Sequence, residues 1–389
     1  MRIALDGTPL LISQTGVGRY TRELGRALGA YSPELKVNYL YGIHGLYRLR
    51  QHLSGSLGRS LPERPLVAGN TPGPRWARCF PEDLKQRLKI QAARLECRMR
   101  RPEIYHATNF ISERWECPVV ATIHDLSFIR YPQTHPQARL DWIRQGLPHT
   151  LARAHLITVS HFTKHELMTL LQVPEERISV VHEGIDSRFK PLPRNITARR
   201  LKRYQLQPGA YILSVGTLEP RKNIIRLLQA YERLPDALAR RYPLVVAGLG
   251  GWKDAPIHTA LRRLSDRGRL RALGFVTDDN LPALYNGAAL FVFPSLYEGF
   301  GFPPLEAMAC GTAALVSNRA SLPEVVGQGA MLVDPESIEA ITEAMNQLLE
   351  DPSLRETLAA RGVAQARRFT WENCALETLA VYRRWLQDN

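Results

Sequence analysis

Short apolar runs alternate with helix-like segments along this chain, and they do so twice. In the first half, strand candidates fall at 2–5, 37–41, 104–106, 119–123 and 156–159, with helix candidates at 18–31, 84–101, 141–154 and 164–171. In the second half, strand candidates fall at 211–215, 244–247, 270–273, 290–293, 314–316 and 330–332. Helix candidates there are 224–233, 256–266, 280–285, 304–309, 322–326 and 337–349, and the tail reads as helical over 355–369 and 371–385. Such alternation argues for mostly parallel sheets with crossover helices. The expected fold is α/β: two Rossmann-like, doubly wound domains facing a central cleft, with C-terminal helices crossing back to the first domain. In open sheets of this kind, ligands bind at the carboxyl ends of the strands. Both cleft walls should therefore be strand-to-helix loops.

At 389 residues the chain is long for one core and comfortable for two. A linker is expected around 183–195. That gives a first domain at 1–190, a second at 195–369 and a returning helix at 370–389. No apolar run approaches the ~18 residues of a spanning helix. Met1 to Asp6 meets an acid at once, which argues for a first buried strand rather than a secretory signal. Five cysteines (79, 97, 117, 310, 374) show no metal-like or redox spacing, so reduced cytosolic thiols are expected.

The net charge of +14 is uneven. Residues 1–190 hold 27 basic and 17 acidic side chains, and residues 48–101 alone hold 13 and 4. A basic first half implies an anionic partner. In the 84–101 segment Leu84, Leu88, Leu95 and Met99 share one helical face, with Lys85, Arg87, Lys89, Arg94 and Arg98 over the remainder. This reads either as a solvated surface helix or as an interfacial helix on anionic lipid. The segment lacks interleaved aromatics, and no nucleic-acid recognition motif is apparent.

Chemistry concentrates at Glu298-Gly-Phe-Gly-Phe-Pro-Pro-Leu-Glu306, between an apolar strand and a helix. Backbone N–H groups at a helix start bind phosphate without a metal. Glycines let a backbone approach a ligand. Ionised carboxylates accept strong hydrogen bonds from hydroxyls. Phosphate and hydroxyl recognition on one element suggests a nucleotide-sugar site. Glu306 is expected in the first helical turn, where the dipole favours its charge. Gly16-Val17-Gly18-Arg19 after the first strand and His124-Asp125 at a later strand end are candidates for the opposite wall, though a lone Gly-x-Gly can merely turn the chain and His124 can be a satisfied core histidine. Gly248 to Gly251 and Gly274-Phe275-Val276 form further loops after strands.

Gly216-Thr-Leu-Glu-Pro-Arg-Lys-Asn223, with the 293–301 and 305–311 stretches, resembles glycosyltransferase family 4: retaining enzymes of the two-Rossmann-domain (GT-B) fold. The resemblance spans nearly the whole chain. It implies that Glu306 accepts hydrogen bonds from the donor ribose and that Glu298 lies near the transferred sugar. Gly299 and the backbone of Phe300, Gly301 and Phe302 would meet its hydroxyls and phosphates, with Gly16 and Gly18 contacting the diphosphate and Gly274, Phe275 and Val276 flanking the base. Lys222 matches the family's lysine, which holds charge on the leaving phosphate. The family's arginine stands where this chain has Thr217, so Arg221 either substitutes or faces solvent. His124 would contact the donor sugar or help bind the acceptor, Arg19 would reinforce the phosphate contact or bind the acceptor, and Ser160 would lie on the acceptor side. Glu324 reads equally as a helix-start acid.

The wording around His124 and Gly216–Asn223 resembles bacterial mannosyltransferases of surface-polysaccharide (O-antigen) synthesis. This implies a GDP-linked mannose or 6-deoxy-mannose donor, with a UDP-hexose as runner-up and a non-catalytic nucleotide-sugar-binding protein as the different-class alternative. The acceptor would be a lipid-diphosphate-linked glycan at the cytoplasmic face of the membrane. No metal and no cofactor are expected, and no nucleic acid partner.

Overall fold

The computed structural model describes residues 1–11, 16–32, 34–41, 98–112, 115–250 and 255–388, with positions 91 and 95. Most of the basic 48–101 segment, Thr15, Gly251, Cys79 and Cys97 lie outside the described residues.

Two six-stranded, all-parallel sheets form the frame. The first runs in the order β2-β1-β3-β4-β5-β6: β1 Arg2–Asp6, β2 Lys36–Leu40, β3 Ile104–Ala107, β4 Val119–Ile123, β5 His155–Thr158 and β6 Ile178–Val180. Its central strands are buried throughout, as a sheet covered by helices on both faces requires. The second runs β12-β11-β10-β7-β8-β9: β7 Ile212–Val215, β8 Leu244–Ala247, β9 Leu270–Gly274, β10 Leu290–Phe293, β11 Ala314–Ser317 and β12 Met331–Val333. The strand order reverses between β1 and β3 in the first sheet and between β7 and β10 in the second. The loops after β1, β7 and β10 therefore emerge at topological switch points, where a crevice opens.

The chain crosses between the sheets twice, side by side. Ile185 bridges Thr370, and its N–H donates to the Phe369 carbonyl at 3.1 Å. After the second crossing, helix Trp371–Gln387 packs on the first domain. Trp371, Cys374, Leu379 and Tyr382 share a core with Ile3, Leu5, Tyr20 and Leu24. The Tyr382 hydroxyl lies 2.6 Å from His106 Nδ1 inside it.

Several expectations are corrected. Gly16 and Gly18 are not a loop before a helix: the helix begins at Gly16 and runs to Tyr31. Helix Phe302–Ala309 begins two residues earlier than expected, so Glu306 leaves the first turn for the second. Helix Arg194–Leu201 starts inside the expected linker, and Asp236–Arg241 is a further helix; each starts directly after a proline with extended backbone.

Candidate active site

The stretch after β10 is shaped by contacts from both domains. Gly301 has φ +125°, a conformation that excludes side chains, and Leu322 sits where its Cβ would go. A Cβ on Gly299 would fall 1.9 Å from the backbone carbonyl oxygen of His124, in the other domain. Only glycine allows the two backbones this close. Ser321 Oγ donates to the carbonyls of Glu298 (2.9 Å) and Phe300 (2.7 Å), which fixes the loop from below.

Glu298 is buried and faces two cations of its own domain. Lys222 Nζ lies 2.6 Å away and Arg221 Nη1 3.3 Å, and Ser295 Oγ donates at 2.7 Å. Burial alone would raise its pKa, but Lys222 and Arg221 outweigh it and hold the carboxyl below the usual range. Arg221 does not face solvent. It also binds Glu219 (2.7 Å) and the Tyr297 carbonyl (2.7 Å). Burial opposes its charge, yet Glu298, Glu219 and Asp125 of the opposite domain keep it firmly protonated. Lys222 Nζ lies 5.4 Å from the Phe293 ring centroid.

Glu306 is also buried, and its partners differ. Arg19 donates to it from across the cleft, and Tyr285 donates at 2.8 Å. Burial is the largest effect here and leaves its pKa raised. Arg19, expected either to reinforce the phosphate contact or to bind the acceptor, is bound to Glu306 and to Asp278 (3.6 Å), with the Phe302 ring 5.6 Å from its guanidinium. Gly16 stands over that same ring, at 3.9 Å from where its Cβ would be. The first turns of helices Gly16–Tyr31 and Phe302–Ala309 thus converge, one from each domain.

The first-domain wall carries His124. Both ring nitrogens are occupied by the protein: Nε2 donates to the Thr108 carbonyl at 2.9 Å, and Nδ1 lies 3.3 Å from Glu183. Burial lowers its pKa, but Glu183 and the Thr108 carbonyl prevail and raise it. The ring therefore has no nitrogen left for a sugar hydroxyl, contrary to a direct contact. His106 behind it is pushed down to about 3, by burial first and then by the His124 charge.

Ser160, expected on the acceptor side, has its hydroxyl engaged by the protein itself. It is fully buried, caps helix His161–Leu171 through Thr163 N, and donates to the Gly299 carbonyl at 2.7 Å. Tyr297 enters the first domain, where its hydroxyl accepts from Leu126 N (2.9 Å) and donates to Glu166. Glu324 caps a helix of the other domain: it accepts from His161 N (2.9 Å) and Phe162 N (3.2 Å), with His182 Nε2 at 2.6 Å. In the remaining loops, Thr217 is exposed, Gly274 has φ +63°, Phe275 is exposed and Val276 is buried. Asp278, two residues on, reaches Arg19.

Sequence reading passed over Glu183, Tyr285, Tyr297, Ser321 and Asp278. Glu183 sat in an apparent linker, and Tyr285 and Tyr297 in apolar runs. The signal available was chemical: a buried acid or phenol needs a partner.

Comparison with known proteins bears on this geometry. Residues 15–189 match the model for Glycosyltransferase Family 4, and residues 201–365 that for Glycosyl transferases group 1. The O-antigen chain mannosyltransferase B of Escherichia coli is 36% identical over 98% of this chain and 100% of its own length. The serotype-specific mannosyltransferase WbdA of E. coli is 37% identical over 60% of this chain but only 29% of its own. Among solved structures, the sucrose-phosphate synthase of Thermosynechococcus elongatus superposes with a TM-score of 0.76 at 22% identity, covering 100% of both chains. WaaG, a glycosyltransferase involved in lipopolysaccharide biosynthesis, gives 0.72 at 14% identity, covering 98% of this chain and 99% of its own. Fold and cleft thus define a glycosyltransferase of the GT-B class. Within that class, the chain belongs to glycosyltransferase family 4.

Proposed function

We propose that this chain is a retaining, metal-independent mannosyltransferase of O-antigen synthesis, moving a mannose-type hexose from a GDP-sugar to a lipid-diphosphate-linked glycan. The observation that carries the donor site is the convergence of two helix starts, one per domain, flanked by the Arg19–Glu306 and Lys222–Glu298 pairs. Helix N-termini favour a diphosphate. Lys222 and Arg221 hold the negative charge that grows on the leaving phosphate. Glu306 accepts from the ribose hydroxyls, and Arg19 exchanges its carboxylate partner for the diphosphate when the donor enters. Glu298 fixes Lys222 and Arg221 in place and lies against the sugar. The leaving phosphate takes the acceptor proton in a front-face transfer.

The choice of mannose rests on the two E. coli relatives, whose printed names are mannosyltransferases. The membrane side of the reading rests on charge and exposure. Leu95 and Met99 stand exposed beside Arg98 and Arg100, at helical positions at the end of the basic segment. Exposed Trp142 adds an aromatic on helix Gln137–Arg153. Among the described residues no helix is long and apolar enough to cross a membrane, so we place the protein peripherally on the anionic cytoplasmic face.

The test is a panel of GDP- and UDP-sugars against the purified protein, read as donor hydrolysis and as thermal stabilisation. The reading expects GDP-mannose to be hydrolysed and GDP to stabilise. Stabilisation by UDP alone would transfer the reading to the runner-up, a UDP-hexose donor.

A further inference from the structure

Glu183 occupies the start of the first interdomain crossing, where no catalytic role is obvious. It is nonetheless buried, with 3% of its surface exposed. Its position is fixed by the neighbouring crossing: a Cβ on Gly184 would lie 2.2 Å from Trp371 N, so the chain is held against the returning helix at this point. From there its Oε1 reaches His124 Nδ1 at 3.3 Å.

The opposite ring nitrogen decides what that contact means. His124 Nε2 lies 2.9 Å from the Thr108 carbonyl oxygen. A carbonyl can only accept, so Nε2 carries a proton. The atom facing Nδ1 is an oxygen of Glu183, an acceptor whenever that carboxyl is ionised. A ring with an acceptor at each nitrogen is complete only as the imidazolium.

We propose that Glu183 is a positioning residue which holds the His124 ring with a proton on each nitrogen, so that a fixed positive charge lies under the donor site. This deepens, and rests on, the transferase reading. The backbone of His124 abuts Gly299, beside Glu298, so the charge belongs to the same cleft floor as Lys222 and Arg221. A fixed charge in a buried site needs no reorganisation as negative charge develops on a leaving diphosphate. The arrangement also removes His124 from any role as general base.

The surroundings support one charge on each partner. Around His124 stand Asp125, His106 and Tyr20, whose ring meets the imidazole edge-on at 4.9 Å. Asp125 is turned to Arg221 and Ser127 and stays ionised. His106 is kept neutral by burial and by the His124 charge itself. Tyr20 and Cys374 lie near Glu183, and burial pushes both far up, so neither adds charge. Among these groups Glu183 is the carboxylate whose partner is the His124 ring.

The experiment is nitrogen-detected NMR of histidine-labelled protein, with His124→Gln for assignment, alongside pH profiles of kcat. In the wild type both His124 nitrogens should be protonated at pH values above the ordinary histidine pKa of about 6.5. In Glu183→Gln burial is no longer outweighed, so the ring should titrate below that value. The basic limb of kcat should move down with it, giving a 10–100-fold loss at alkaline pH that recovers on acidification, with donor KM little changed. A purely structural role would instead lower kcat equally at every pH. If the variant does not fold, Glu183→Asp and the wild-type titration decide the matter. A neutral His124 ring in the wild type near pH 7 overturns the proposal. An imidazolium in a protein inert toward every nucleotide sugar would leave the ring assignment standing and remove the transferase reading beneath it.

Discussion

Glu298 and Glu306 stand on one strand–loop–helix element, both buried, yet they meet opposite electrostatics. Glu298 has two cations from its own domain and is held ionised. Glu306 has one cation, and that cation comes from the other domain. Its pKa is raised despite the pair. The difference lies in the number and origin of partners rather than in depth of burial. The Glu298 network exists whether the cleft is open or closed, and it serves as scaffold and charge reservoir. The Arg19–Glu306 pair exists only when the domains are together, so on the proposed function a donor and the empty closed cleft compete for the same groups.

The largest effect that could break this comparison is on stability. Glu298→Gln leaves Lys222 and Arg221 buried without their shared carboxylate, and a cost of about 3–5 kcal/mol is expected. Glu306→Gln should cost less than half of that, because its carboxyl is already under burial stress. Denaturant unfolding monitored on the second domain checks both; equal losses would dissolve the distinction. Next, Lys222→Ala should lower kcat by about 10²–10³, or about 2.7–4 kcal/mol in the barrier. A near-normal rate would remove Lys222 from the mechanism.

Gly299→Ala sharpens the role of closure. Its Cβ meets the His124 carbonyl, so the closed state should lose about 1–3 kcal/mol while each domain folds normally. Scattering or cross-linking should then report an open form, with transfer reduced in proportion. Smallest is the pH response. For Glu298, whose folded pKa is depressed, the stabilising contribution is present above the unfolded value and lost as pH falls through the folded one. For Glu306, raised in the fold, the sign reverses: its contribution is present below the unfolded value and lost as pH rises through the folded one. Acid titration of stability in Glu298→Gln and Glu306→Gln should therefore flatten the curve in opposite senses.

The frame was legible because periodicity is a strong signal. The parallel strands other than Ile178–Val180, which was not foreseen, the loops that end them and the returning helix follow from apolar runs and their spacing. The strand–loop–helix element proposed for the donor was legible because Glu298 to Glu306 combines glycines, acids and a helix start. What sequence could not supply was pairing at long range. Nothing local says that Arg19 meets Glu306, that Tyr297 lodges in the first domain, or that Glu183 reaches His124. The cross-domain contacts of Ser160 and Arg19 were hidden for the same reason: a residue at a strand end or helix start can be spent on the other domain. Arg221 illustrates the remaining gap, since a cation beside a lysine reads equally as functional or exposed until Glu219 and Glu298 are found around it.

The most direct test of the account is whether Glu306 grips the ribose. Binding of GDP and of its 2′,3′-dideoxy analogue should be compared in the wild type and in Glu306→Ala by calorimetry. Hydrogen bonds to a charged group contribute about 1.5–3 kcal/mol, so the wild type should prefer GDP by about 10–100-fold. Glu306→Ala should bind the two nucleotides alike. An unchanged preference in the variant would contradict the assignment of the site.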